Sequence, residues 1–134
     1  MRTGRRVLLV LCAAFSVAAG LILAVGTAVI SSLTGDAAVS DTAGIVAAGA
    51  AGAVGVLAAV LWRSRVTERT VTIAQLRATI FVALAIAEVG MLLGLVWGFF
   101  SQSPAPLWTG AAFYALSLVL VATGIARADV AQLP

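Results

Sequence analysis

The chain has 134 residues, of which 63% are hydrophobic and only 10% are charged, against about 25% charged in a typical soluble domain. So few charges could not cover a water-soluble domain of this size, and this composition excludes a soluble globular protein, a disordered tail and a nucleic-acid binder. The chain has no histidine and one cysteine, Cys12, which removes zinc clusters, internal disulfides and histidine-based nucleophile pairs. We expect no enzyme activity, and therefore no catalytic residue, metal site or cofactor.

Long uncharged stretches predict the membrane-spanning segments. Residues 7–35 and 42–62 carry no charge, and Glu88 is the only charge in the stretch 78–126. A helix needs about 20 apolar residues to cross the hydrocarbon layer, and the segment 101–106, with two prolines, divides the last stretch. The sequence predicts an all-α integral membrane protein, one four-helix bundle with spans at about 7–32, 43–62, 78–100 and 107–126.

The first span could also be read as a secretory signal peptide. It follows Arg2, Arg5 and Arg6, and Ser16-Val17-Ala18 would suit a cleavage site. However, the apolar run continues to about Ile30. This length favours a retained first helix, with cleavage as the alternative.

The positions of the arginines predict sidedness. All eight lie before span 1, between spans 2 and 3, or after span 4, whereas the links 33–42 and 101–106 contain none. By the positive-inside rule both termini and the polar loop 63–77 are cytoplasmic. The short links predict that spans 1 and 2, and spans 3 and 4, are antiparallel neighbours.

Arginine without lysine, together with many alanines, indicates a GC-rich bacterium, so we expect a multi-pass protein of the bacterial plasma (inner) membrane. Tryptophans at span ends are typical anchors at the membrane surface; they are Trp62, Trp97 and Trp108.

Small residues spaced three or four apart predict close helix contacts in spans 2 and 3. Such faces let neighbouring backbones approach one another in a membrane. The glycines concerned are Gly49, Gly52 and Gly55 in span 2 and Gly90, Gly94 and Gly98 in span 3. We expect them to pack against other helices of the chain, of a partner protein or of a homo-oligomer.

Glu88 is the one charge that topology does not explain. It lies about halfway along span 3, where a charge costs at least about 2.5–3.5 kcal/mol, and no arginine lies within a span to pair with it. Candidate neighbours are Ser117, at similar depth in span 4, and Tyr114, one turn nearer the outside. Two interpretations stay open: a site for a proton or a cation such as Na⁺, or a structural hydrogen bond to a neighbouring helix.

The segment 76–96 begins Leu76-Arg77-Ala78-Thr79-Ile80-Phe81, and Gly94-Leu95 stands six residues after Glu88. In these features it resembles the second helix of the ATP synthase c subunit, a proteolipid in which a similar run leads into an ion-carrying glutamate. The resemblance implies that Glu88 carries a proton or sodium ion. This chain lacks the family's Arg-Gln-Pro loop motif and would add one span before and one after the usual pair.

Three functions follow from these patterns. The first is a non-enzymatic subunit or accessory protein that packs with partner helices through its glycine-rich faces. The second is a proton- or cation-binding proteolipid with Glu88 as the ion carrier. The third is a small oligomeric cation-coupled transporter. In each case the partners are the lipid bilayer and other membrane helices or further copies of the chain. The second and third functions add H⁺ or Na⁺ as the ion.

Overall fold

The structure, a computed structural model, describes residues 2–37, 39–68, 71–127 and 130–131, and is almost entirely helical. Each of the four predicted spans lies inside a separate helix that is long and apolar enough to cross a membrane. The chain is therefore a small multi-pass membrane protein built from four apolar helices. Its elements in chain order are α1 (Arg2–Ser32), α2 (Asp41–Glu68), β1 (Val71–Thr72), α3 (Ile73–Ser101), α4 (Ala105–Arg127) and β2 (Val130–Ala131).

The connection between spans 2 and 3 is shorter than the predicted loop 63–77. Helix α2 continues to Glu68 and α3 begins at Ile73, because each added residue of a helix gains a backbone hydrogen bond and residues 63–72 contain no glycine or proline. Thr72 caps α3 through a reciprocal pair of hydrogen bonds with Gln75. The residues between the helices include β1, which pairs in parallel with β2 beyond α4.

Helix α1 does not pack against α2, its predicted neighbour. Helices α2, α3 and α4 pack closely against one another, whereas α1 lies mainly against α4 and to a lesser extent against α3. The prediction that spans 1 and 2 are close neighbours was therefore wrong. The link 33–40 can extend to about 26 Å, enough to carry the chain across the end of a bundle whose helices are 8–10 Å apart. The small side chains of α2 are taken up by α3 and α4 instead.

The two ends of the bundle differ in charge. Leu8 near the start of α1, Trp62 near the end of α2, Leu76 near the start of α3 and Ile125 near the end of α4 form one buried cluster. The arginines in the described residues therefore gather at this end, which we call the arginine end; Arg69 lies outside the described residues. A second buried cluster, around Met91, fills the other half of the bundle.

The opposite end is tied together by side chains from the two links. Gln102 donates from Nε2 to the carbonyl of Asp36 at 3.2 Å, and Trp97 donates from its indole Nε1 to the carbonyl of Ser40 at 3.0 Å. The Ser103 hydroxyl lies 3.4 Å from a carboxylate oxygen of Asp41. The link after α1 is thus held against the turn between α3 and α4.

Candidate ion-binding site

Helices α2 and α3 approach backbone to backbone at two points. A Cβ atom at Gly55 would lie 2.5 Å from the Cα of Ala87, and one at Gly90 would lie 2.7 Å from the backbone nitrogen of Gly52. No real Cβ contact is that short, so only glycine fits at these positions. These contacts fix the depth and rotation of the middle of α3 relative to α2.

Helix α4 meets the same part of α3 through further glycines. A Cβ atom at Gly94 would meet the carbonyl of Pro106, and one at Gly110 would lie 2.5 Å from the carbonyl oxygen of Gly90. Farther toward the link end, a Cβ atom at Gly98 would lie 2.7 Å from the side chain of Ile30 in α1. The glycine stripe of span 3 is therefore filled by helices of this chain.

The predicted packing glycines thus hold the monomer together. Gly52, like the span 3 glycines and Gly55, has no room for a side chain, while Gly49 makes only ordinary contacts at 3.7–3.8 Å with side chains of α4. All six pack against the chain's own helices. The prediction left open whether these faces meet helices of the chain, a partner or a second copy, and the contacts found are within the chain.

The face of α3 that carries Glu88 turns toward α1. The Phe81 ring packs edge-on against Phe15 of α1 with 5.6 Å between the ring centroids, and Leu95 lies beside Gly26 of α1. Phe81 and Leu95 each lie seven residues from Glu88, which places all three on one helical face. Glu88 therefore sits between two contacts that α3 makes with α1, and its side chain is half-buried.

Glu88 occupies the middle of a membrane-length helix. The membrane-length segment of α3 runs from Ala74 to Ser101, so Glu88 lies about 20 Å along the helix axis from either end. Within the described residues, no hydrogen bond or ion pair involves its carboxylate. The hydrogen bond to a neighbouring helix, one of the two interpretations left open, is absent among the described residues.

Tyr114, the second candidate residue of the site, lies in α4. Its side chain is 2% exposed, and its phenol lies within electrostatic range of both the Glu88 carboxylate and the Cys12 thiol. No hydrogen bond of the phenol occurs within the described chain. The three ionisable groups come from α3, α4 and α1, while residues 42–62 of α2 carry none.

Ser117 lies one turn along α4 from Tyr114 and is fully buried. Its hydroxyl donates to the carbonyl of Phe113 in its own helix at 3.0 Å. That bond uses the only proton of the hydroxyl, so Ser117 can offer a ligand only the lone pairs of its oxygen. Carboxylate, phenol and hydroxyl oxygens of this kind are ligands that suit hard cations.

Two members of this region were missed at the sequence level. The single Cys12 served only to exclude zinc clusters and internal disulfides, and Phe15 was not singled out. The seven-residue spacing of Phe81, Glu88 and Leu95 was the available signal, since it places an aromatic and an aliphatic side chain on the face of the carboxylate. What could not be foreseen is that α1 covers that face.

No protein-family model, no curated protein and no solved structure matches this chain.

Proposed function

We propose that this protein is a multi-pass membrane protein of the bacterial plasma membrane that binds a proton or a monovalent cation at Glu88. One observation carries the proposal. A half-buried carboxylate lies at the centre of a membrane-length helix, with no hydrogen bond or ion pair from the described chain. An ionised group there costs at least about 2.5–3.5 kcal/mol, and a bound proton or cation removes that cost.

The geometry favours ion binding over a structural role for Glu88 and over a subunit that docks partner helices. A structural role for Glu88 needs a hydrogen bond that the described residues do not provide. A subunit that docks partners through its glycine faces needs surfaces that α2, α3 and α4 use among themselves. The resemblance of segment 76–96 to the ion-carrying helix of the ATP synthase c subunit supports the same role for Glu88.

The ligands proposed for a cation are the carboxylate of Glu88 in α3 and two oxygens of α4. The α4 oxygens are the Tyr114 phenol and the Ser117 hydroxyl. When a proton is bound instead, the Glu88 side chain is a neutral carboxylic acid. In both cases the charge of Glu88 is neutralised in the low-dielectric middle of the membrane. No covalent chemistry is part of the proposal, and the protein acts as a non-enzymatic ion carrier.

Carbodiimide labelling tests this proposal directly. A hydrophobic carbodiimide reacts with the protonated form of a carboxyl group in the membrane, and the modified Glu88 peptide is measured by mass spectrometry. We expect labelling to fall as the pH rises, and to fall further with Na⁺ if sodium is the ion. Labelling that is independent of both pH and Na⁺ would exclude an exchangeable ion at Glu88.

Two variants separate ion binding from a structural role. Glu88→Gln removes the labelled group and should leave the free energy of unfolding unchanged or raised, because it removes a charge from the bilayer centre. A loss of more than about 1 kcal/mol would instead indicate a structural hydrogen bond. Tyr114→Phe keeps the ring and removes the hydroxyl, so it should weaken protection by Na⁺ without preventing labelling.

The proposal includes an orientation with both termini in the cytoplasm, because the arginine end should face that side. In cells whose Cys12 is replaced by serine, Asp36→Cys should react with a membrane-impermeant maleimide. The matched variant Ser64→Cys, at the arginine end, should react only after the cells are opened. The reverse pattern would overturn the orientation.

A further inference from the structure

A groove runs between α1 and α4 beside the proposed ion site. It has a volume of about 320 Å³. Its walls are apolar apart from Tyr114 and Ser16, and Met91 of α3 contributes to the lining. The Ser16 hydroxyl already donates to the carbonyl of Cys12 at 2.9 Å. Tyr114 is thus the polar group left to meet a ligand.

Gly20 keeps this groove open. Nothing lies within 4 Å of a Cβ atom built at Gly20, whereas the glycines of α3 have no such room. Glycine is the poorest helix former apart from proline, and at this position it allows no close helix approach in return. Ala111 and Ala115 face the same space from α4. Small residues on both walls therefore leave a gap where the other helix pairs are tightly packed.

We infer that this groove admits a hydrophobic organic cation from the lipid phase and holds its charged group against Tyr114, within the field of Glu88. The inference rests on the proposed function, since it assigns a substrate class to the same carboxylate. Apolar walls suit a hydrocarbon chain, the phenol ring suits an alkylated ammonium group, and the unpaired carboxylate supplies the opposite charge. The protein is then a transporter that exchanges such a cation against protons or Na⁺ at Glu88.

The size of the groove sets the size of the ligand. A volume of about 320 Å³ corresponds to about ten water molecules, and so to a ligand of about ten non-hydrogen atoms. Hexyltrimethylammonium has that size, with one positive charge and a short alkyl chain. Its neutral isostere, 2,2-dimethyloctane, has the same shape without the charge.

Binding of radiolabelled hexyltrimethylammonium to the full-length protein in lipid nanodiscs tests the inference. Gly20→Leu places a larger side chain on the groove wall, where a Cβ atom meets nothing within 4 Å, and should raise the Kd at least about tenfold. The matched control Ala18→Leu adds the same side chain at an exposed position of α1 outside the groove lining, and should bind as the wild type does. Glu88→Gln should also weaken binding at least about tenfold, and 2,2-dimethyloctane should not compete.

Two results would overturn the inference. Unchanged binding by Gly20→Leu would mean that the cation binds elsewhere, and equal competition by 2,2-dimethyloctane would mean that the groove selects only for hydrocarbon. Carbodiimide labelling of Glu88 distinguishes these failures from that of the proposed function. If labelling still responds to pH or Na⁺ while the organic cation does not bind, only the inference fails. If labelling responds to neither, the proposed function fails as well.

Discussion

The contact between α2 and α3 makes Gly90→Ala a sharp test of the packing described here. The added Cβ atom would lie 2.7 Å from the backbone nitrogen of Gly52 and 3.1 Å from the carbonyl oxygen of Ala48. Backbone atoms of a helix cannot rotate out of the way as the end of a side chain can. The two helices must therefore separate locally.

The size of the effect follows from that separation. The distance to Gly52 must rise from 2.7 Å to 3.4 Å, the start of ordinary van der Waals contact, so the helices move apart by about 0.7 Å. A gap of 0.5–1 Å forfeits about a quarter to a half of the dispersion attraction of each contact across it. Overpacking of this kind typically costs about 1–3 kcal/mol, and we expect a loss in that range.

The free energy of unfolding can be measured by titrating mixed micelles with sodium dodecyl sulfate and following helical circular dichroism. Gly20→Ala is the matched control, because its methyl group meets nothing within 4 Å and alanine is the better helix former by up to about 1 kcal/mol. It should leave stability unchanged or raised. If Gly90→Ala is as stable as Gly20→Ala, the backbone contact between α2 and α3 is not as described.

Three further substitutions test contacts at the ends of the bundle. Trp62→Phe removes the indole N–H that donates to the Thr79 hydroxyl at 2.8 Å and should cost about 0.5–1.5 kcal/mol in the same titration; a smaller cost in a Thr79→Val background would confirm the pairing. Thr72→Ala removes the cap of α3 and should lower the free energy of unfolding by about 1 kcal/mol. An unchanged free energy of unfolding would contradict the capping box. Trp97→Phe removes the bond to the Ser40 carbonyl, so amide exchange in the link 33–40 should quicken about fivefold; unchanged exchange would show that other contacts hold the link.

Tryptophan shows where prediction from sequence succeeds and where it stops. The sequence predicts that the three tryptophans lie at span ends. Trp108 is 52% exposed, as expected of a side chain in contact with lipid. Trp62 is only 8% exposed and bonds to α3, while Trp97 lies over Gly44 and bonds to the link after α1. Depth in the membrane follows from chain position, but the neighbour of a side chain depends on how the helices rotate and pack.

The same division applies to the candidate site. The sequence alone indicates that Glu88 is an isolated charge near the middle of a span. Helix length and antiparallel connection predict Ser117 at similar depth and Tyr114 one turn nearer the outside. The absence of a hydrogen bond to Glu88 within the described residues could not be predicted, because it depends on side-chain distances of a few tenths of an ångström. The position of α1 over the face of Glu88 could not be predicted either.

Scarcity of charge by itself determined that the chain is a membrane protein with four helices, because lipid forces each apolar stretch to satisfy its own backbone hydrogen bonds. The tertiary structure decided which helices touch. Apolar side chains face lipid as readily as they face other helices, so hydrophobicity carries little information about neighbours, and close packing of small residues selects them instead. The glycines join α2 to α3 and α4, and α1 lies beside α3 and α4. Glu88 therefore lies where α3 faces α1, and the groove at Gly20 lies between α1 and α4.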